Sequence, residues 1–306
     1  MSLESIEAYP WFLNKHLDLM VNERLVHTRF NAGEWMEHWR YLLARMLDMW
    51  LAARPRRFLV AVAGPPGSGK SVLAEQFHWL IDRGIFHKEA HSVALPMDGF
   101  HFPNAYLESH FRRLPDGTDI PLSQVKGQPD SIDVKSLRQH LKMLVGRPDH
   151  MDWPGYSRFT HDVVPNKLQV HHSANFVIVE GNYLLVDRGI FAGIPDLFDL
   201  KIYVDGPGAK IIANLMERHI AGGKTVDEAK DWVKRIDLPN ARIAESSKSN
   251  ADVIIERDGD DDLSAVVWRE KQTQLSATSP TAEAAKPSSS PATPPTNTTA
   301  ATPPTQ

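Results

Sequence analysis

The octet GPPGSGKS, residues 64–71, follows directly on the apolar run FLVAVA. Gly64, Gly69, Lys70 and Ser71 satisfy the spacing G-x-x-x-x-G-K-[ST]. Glycines let the backbone turn tightly and keep side chains out of the way, so successive N–H groups converge on one concave point that suits an anion. A helix opening at Lys70 adds its positive end. Lys70 can then reach the β- and γ-phosphates, and the Ser71 hydroxyl can hold Mg²⁺. The predicted nucleotide cradle comprises Gly64, Pro65, Pro66, Gly67, Ser68, Gly69, Lys70, Ser71 and Val72. Its ligand is a nucleoside triphosphate, with ATP the first choice and no base-reading motif visible. The bland alternative is a strand–turn–helix connection with coincidental residues. An apolar strand before the octet and the amphipathic SVLAEQFHWLI after it argue against that. The loop alone does not choose among GTPases, motors, transporters and small-molecule kinases.

A second group of residues could serve an acceptor. The stretch LPMDGFHFPN, residues 95–104, puts Asp98 just past the end of an apolar run. In open parallel sheets that carboxyl edge is where ligands bind. A carboxylate there can take the proton of a hydroxyl that attacks a γ-phosphate. Gly99 would allow a sharp turn, and Phe100, His101 and Phe102 could wall a pocket. The competing reading of Asp98 is an ordinary Asp-Gly turn. In FVIVEGNYLL, Glu180 ends another apolar run and could take Mg²⁺ directly or through water, or simply sit near a helix start.

These residues need a scaffold that brings strand ends together. Short apolar runs occur at Phe58–Ala63, Ser92–Leu95, Phe176–Glu180, Leu200–Val204 and Val253–Ile255. Helical periodicity separates them at Ser71–Ile81, Val134–Val145, Ala209–Ala221 and Val226–Ile236. The alternation predicts an α/β fold, a doubly wound and mostly parallel sheet with helices on both faces. Thr225 and Glu228 have capping-box spacing, and Asp133 suits a helix N-cap. Residues 5–53 place apolar residues at three- and four-residue steps, which predicts a helical extension over 1–55 packed on the core. Its stripe of Trp35, Met36, Trp39, Met46 and Trp50 reads as packing. The catalytic domain is expected over 56–272, with a lid around 206–245. Residues 273–306, rich in Pro, Ser, Thr and Ala, are expected to be disordered.

Composition sets the outer bounds. The chain has 306 residues, 42% of them hydrophobic and 24% charged, which suits a globular protein. A formal net charge of −4 argues against a nucleic-acid partner. The absence of cysteine removes disulfides and thiolate metal sites, and no HExxH motif is present. No secretory leader and no spanning helix is read, so a cytoplasmic protein without a membrane partner is expected, and a homodimer is compatible with this.

The motifs GPPGSGKS, PMDGFHFPN, KGQPDSIDV (126–134), PGYSRFTHDVV (154–164) and VEGNYLL (179–185) occur in one order. Together they resemble the phosphoribulokinase / uridine kinase / pantothenate kinase family. Within it the chain is most similar to members labelled fructose-transport-system kinase or nucleoside-triphosphate hydrolase. The likeness spans about residues 56–256. It implies a P-loop kinase using ATP and Mg²⁺, with Asp98 as general base and Glu180 as the Mg²⁺-associated acid. Arg158 and His161 match the segment that reaches the acceptor, and Asn182 and Tyr183 belong to the E-G-N-Y segment on the same side. Phe100 and His101 complete the expected substrate set. Lys126 could meet an acidic substrate or be a solvated loop lysine. In the lid, Arg218 beside His219 is the first candidate to steady the transferring phosphoryl group, with Arg235 and Arg242 behind it. Two departures stand out: uridine kinases cluster several arginines there, and Arg158-Phe159 replaces residues typical of pantothenate kinases. The implied acceptor is a sugar-like, nucleoside-like or pantothenate-like small molecule. The alternative is a nucleotide-binding regulator, or a simple NTP hydrolase without an acceptor.

Overall fold

A computed structural model describes residues 2–259 and 262–269; the tail expected at 273–306 lies outside them. The strands in chain order are β1 (Leu17–Val21), β2 (Arg24–Thr28), β3 (Phe58–Ala63), β4 (Ser92–Pro96), β5 (Phe111–Arg113) and β6 (Asp119–Pro121). They continue with β7 (His150–Ser157), β8 (Asp162–His171), β9 (Phe176–Glu180), β10 (Leu200–Asp205), β11 (Val253–Arg257) and β12 (Leu263–Trp268). Between them run α1 (Arg40–Ala53), α2 (Lys70–Asp82), α3 (Val134–Val145), α4 (Gly208–Ala221), α5 (Val226–Trp232) and α6 (Leu238–Glu245).

Every residue of β3 and β9 is buried, as strands covered on both faces must be. They lie at the middle of a six-stranded sheet in the order β12-β11-β10-β3-β9-β4. All neighbours in it are parallel except the edge pair β11–β12. One face packs against α1 and α2 through Leu43, Met46, Trp50, Leu73 and Phe77. The other packs against α3 and the β7–β8 hairpin through Leu137, Leu141, Trp153 and Val170. The parallel register matters most for function. Val62 and Pro96 both pair with Glu180. The ends of β3, β9 and β4 therefore finish level, about 5 Å apart, and three loops leave the sheet side by side. Among the described residues no helix is long and apolar enough to cross a membrane.

The N-terminal segment differs from the all-helical extension expected of it. Residues 17–28 form a β-hairpin, with Leu17 paired to Thr28 and Val21 to Arg24. LDLMV alternates buried and exposed residues along β1, a period of two that the three-residue steps of the flanking text conceal. The connection is Asn22-Glu23, and both residues have positive φ, 48° and 66°, as a two-residue type I′ hairpin turn requires. The rest of the segment is helical. Ala32–Glu34, Trp35–Trp39 and α1 follow without a break, and the middle piece is a π-helical turn. Trp35, Trp39, Met46 and Trp50 are fully buried in the core.

Glu34 fastens this segment to the sheet. Its carboxylate is buried, and its Oε1 accepts hydrogen bonds from the Trp39 indole N–H at 2.5 Å and the Leu263 amide at 3.1 Å. Burial, joined by the nearby Asp262 charge, pushes its pKa up to about 7, with the indole and amide opposing. The folded protein thus holds a proton that the unfolded chain releases near 4.5. A raised folded pKa gives stability that is full below the unfolded value and lost as pH rises toward 7. The slope approaches about 1.4 kcal/mol per pH unit in that window. Glu34→Gln, which cannot ionise, is expected to flatten the fall in stability between pH 5 and pH 8, measured by urea unfolding at each pH. Equal slopes in the two proteins would refute the assignment.

Candidate active site

The loop after β3 does what its residue types allow. Gly64 packs so closely under β10 that a Cβ there would lie 2.4 Å from the Val204 carbonyl oxygen. Gly69, at φ +82°, precedes α2, and a Cβ on it would meet the Arg257 guanidinium at 2.6 Å. Pro65 and Pro66 are buried, Gly67 packs against α4 at Ile211 and Leu215, and Ser71 and Val72 open the first turn of α2. The Ser68 hydroxyl is buried with no hydrogen-bond partner among the described residues. The loop leaves a concave surface, and above it opens a cavity of about 850 Å³ lined by Gly67, Gly69, Lys70, Ser71 and Val72.

Lys70 is buried beside two acids. Burial lowers its pKa, against the attraction of Glu180 and Asp98. Glu180, at the last position of β9, is buried too, and burial raises its pKa against the pull of Lys70. The Ser71 hydroxyl lies close enough to the Glu180 carboxylate to favour its ionised form, and that carboxylate accepts a long 3.5 Å contact from Asn22 Nδ2. Asp98 stands in a 3₁₀ turn, Met97–Phe100, that directly follows β4. Burial pushes its pKa up, but His101, Lys70, Arg158 and Arg218 outweigh this and hold the carboxyl below its usual range. That turn therefore holds an ionised carboxylate beside the 64–71 loop. Its Gly99 does not serve the sharp turn expected of it. It has no positive φ; instead a Cβ there would strike the Pro154 carbonyl oxygen at 2.0 Å, so the glycine lets the β7 backbone approach.

The remaining expected residues divide. His101 stays beside Asp98, its Nδ1 2.8 Å from the Asp98 carbonyl oxygen. Arg158, at the tip of the β7–β8 hairpin, and Arg218, on α4, both line the cavity. Asn182 has a buried Oδ1 without a partner among the described residues. Phe100, expected against substrate, instead turns into the core and meets Trp153 edge-on at 4.8 Å. Tyr183 is fully buried, and its hydroxyl donates to the Gly127 carbonyl at 2.8 Å, so it braces the 126–128 loop rather than facing a ligand. His161 sits exposed at the hairpin tip with φ +51°, and its carbonyl rather than its ring is used. That carbonyl accepts from Lys126 Nζ at 2.6 Å, and Lys126 also reaches Asn104 Oδ1 at 2.5 Å. Lys126 is therefore a structural clamp. Asp133 caps α3 through the Ser136 amide at 2.9 Å, and Thr225 with Glu228 forms the capping box of α5. Arg235 pairs with Asp231 on the exposed face of its own helix at 2.7 Å, and Arg242 is exposed.

Sequence reasoning passed over two residues that brace the site. Asp237 is buried in a π-helical turn, Val233–Asp237. It accepts from Arg218 at 3.3 Å and lies 2.7 Å from His219 Nε2, so it orients the Arg218 guanidinium. Glu23, in the N-terminal hairpin turn, pairs with Lys167 of β8 at 2.5 Å and accepts the Arg158 amide at 2.9 Å. The positive-φ turn is the only local signal for it, and an Asn-Glu pair is a faint one.

Comparison with known proteins agrees with this geometry. A model of the Phosphoribulokinase / Uridine kinase family matches residues 59–264. The chain is similar to the uncharacterized protein YggC of Escherichia coli (strain K12), 32% identical across 78% of this chain and 94% of YggC. It is also similar to the pantothenate kinase of Sorangium cellulosum (strain So ce56), 30% identical across 74% of this chain and 78% of that enzyme. A crystal structure from Silicibacter sp. TM1040, described as a proposed fructose transport system kinase, superposes with a TM-score of 0.58. That protein is 28% identical and is matched over 98% of its length and 69% of this chain. With a phosphate-binding loop, a lysine and two acids gathered at one sheet edge, and a family match over more than half of its length, the chain belongs to the phosphoribulokinase / uridine kinase family, whose members are P-loop kinases that transfer a phosphoryl group to a hydroxyl.

Proposed function

We propose that the protein transfers the γ-phosphate of ATP to a hydroxyl of a small sugar-like, nucleoside-like or pantothenate-like molecule, with Mg²⁺ and in the cytoplasm, the compartment that supplies ATP. One observation carries the reading: the ionised carboxyl of Asp98 sits among Lys70, Arg158 and Arg218, next to the loop that cradles phosphate. A nucleotide binder without an acceptor has no use for a base at that place. The loop amides and Lys70 hold the β- and γ-phosphates. Asp98 takes the proton of the attacking hydroxyl, whose oxygen then bonds to the γ-phosphorus as the bridging bond to ADP breaks. Arg218, aimed by Asp237, faces the equatorial oxygens where charge spreads.

The residues fit a divalent cation. A buried carboxylate, Glu180, lies against the Ser71 hydroxyl, and Lys70 is the cation that pulls on it most. Hard oxygen donors of this kind suit Mg²⁺, which when bound neutralises phosphate charge. On the acceptor side, the buried, unpartnered Oδ1 of Asn182 would accept a hydroxyl or amide N–H, since an unmade buried hydrogen bond costs about 1–3 kcal/mol. Polyhydroxylated or amide-bearing acceptors supply such donors.

The test is a screen of small alcohols for acceptor-stimulated ADP formation by the purified protein with Mg-ATP. At least one polyol, nucleoside or pantothenate-like compound is expected to raise ADP formation well above the rate with water alone. ADP formation that no alcohol accelerates would favour plain hydrolysis, and no ADP at all would favour a regulator.

A further inference from the structure

The N-terminal hairpin precedes the segment that matches the family, yet it bridges the cleft. At its turn, Asn22 reaches Glu180 at 3.5 Å on the phosphate side. Glu23 holds Lys167 and the Arg158 amide on the acceptor side. At the other end of β2, the Thr28 hydroxyl accepts from Gln76 Nε2 of α2 at 3.0 Å. Anchored at both ends, β2 runs over the loop from the acceptor side toward the body of α2, and Arg24 lies at its acceptor end. Arg24 lines the cavity together with Lys70, Ser71, Arg158 and Arg218. Its guanidinium makes no ion pair or hydrogen bond among the described residues, and neither does the side chain of Arg158. Arg24 is close enough to Arg218 for the two like charges to oppose each other. Arg218 itself is partly neutralised by Asp237.

Guanidinium groups that converge on one cavity repel one another, and an anion bound among them relieves that repulsion. We propose that Arg24 is a further catalytic residue, a guanidinium supplied by the N-terminal hairpin that binds the γ-phosphate of the nucleotide and steadies it during transfer. This rests on the kinase reading above. It also accounts for the sparse lid: where related kinases gather arginines on the lid helix, this chain places one there and brings a second to the same phosphate from β2. The γ-phosphate is the one concerned because Arg24 stands two residues from Asn22, which reaches Glu180, and lines the cavity with Arg158 and Arg218. The Thr28 end lies over α2, where the α-phosphate would be. Glu23 is the positioning residue that registers this end of the hairpin on β7–β8.

The experiment compares wild type, Arg24→Ala and Arg24→Lys by calorimetric titration with Mg-ATP and Mg-ADP and by initial rates of ADP formation. Arg24 is exposed, so both variants are expected to keep the wild-type melting temperature. Arg24→Ala is expected to lower kcat/KM for ATP by about 100-fold, the scale seen when one donor to a transition-state oxyanion is removed. It should also bind ADP within about threefold of wild type and so lose most of the preference for ATP over ADP. Arg24→Lys should recover part of both, since it keeps the charge but not the fork. Wild-type rates and an unchanged ATP-to-ADP ratio in Arg24→Ala, while wild type binds both nucleotides, would overturn the role of Arg24 and leave the kinase reading intact. Equal losses of ATP and ADP affinity would also overturn it, because a γ-phosphate contact cannot weaken ADP. A wild type that binds neither nucleotide overturns the kinase reading and this proposal with it.

Discussion

Asp98→Asn is expected to slow acceptor-dependent phosphoryl transfer by about 10²–10⁴-fold, the usual worth of a positioned general base, while Mg-ATP affinity stays within a few-fold of wild type. Asparagine fills the same volume, so the Met97–Phe100 turn and its packing under β7 are preserved. What is lost is the proton acceptor. Nucleotide affinity should if anything rise, because removing a negative charge leaves Lys70, Arg158 and Arg218 with more uncompensated positive field for the triphosphate. Calorimetry for binding and a coupled assay for ADP separate the two quantities. A variant that turns over at the wild-type rate would sink the assignment of the base. One that has lost nucleotide affinity in proportion to rate would show that Asp98 holds the site together rather than taking a proton.

The second large effect belongs to Lys70. Lys70→Ala should abolish measurable transfer, a drop of at least about 10³-fold, and weaken Mg-ATP binding by about tenfold or more. The lysine is buried between Glu180 and Asp98. Its removal does more than delete a ligand for the phosphates: two carboxylates now face each other in the same small space without the cation that reconciled them. Breaking a buried ionic cluster by taking one member away costs about 3–5 kcal/mol, so the melting temperature of the apo protein should fall as well. Lys70→Met, which restores the volume, separates packing from charge. It should recover some thermal stability and none of the activity. Substantial transfer by either variant would mean that phosphate is held elsewhere than on the 64–71 loop.

Much of this arrangement is legible in the residues alone. FLVAVA and FVIV are unbroken apolar runs, and strands buried on both faces are written that way, so the central pair of the sheet can be read directly. Once both are strands, the octet and Glu180 leave the same edge, because parallel neighbours end together. Asp98 follows from the same logic. Three things are not legible, each for a physical reason. The β1–β2 hairpin hides because apolar residues at three- and four-residue steps on either side of LDLMV mimic a helix, and its turn uses Asn-Glu rather than a glycine. Phe100 and Tyr183 lie inside functional motifs, but their direction depends on what stands opposite, here Trp153 and the Gly127 carbonyl. Asp237 and Glu23 act through other side chains, across 19 and 144 residues of chain, and no local pattern announces such a partnership.

The turn that carries Asp237 has a consequence for how this protein tolerates change. A π-helical turn holds one residue more than the α-helical spacing requires, so α5 and α6 are joined by a surplus residue that no cap or loop absorbs. Deleting any single position from 233 to 236 would let the rod regularise, and on propensity alone that should be welcome. Because the wide turn absorbs its extra residue without rotating its flanks, the same deletion would leave α5 and α6 aligned but re-place the residues of the turn itself, among them the carboxylate that grips Arg218 and His219. In this stretch a shorter chain could be a sturdier helix and a disarmed enzyme, which makes length here, as much as residue type, something that natural variation must keep.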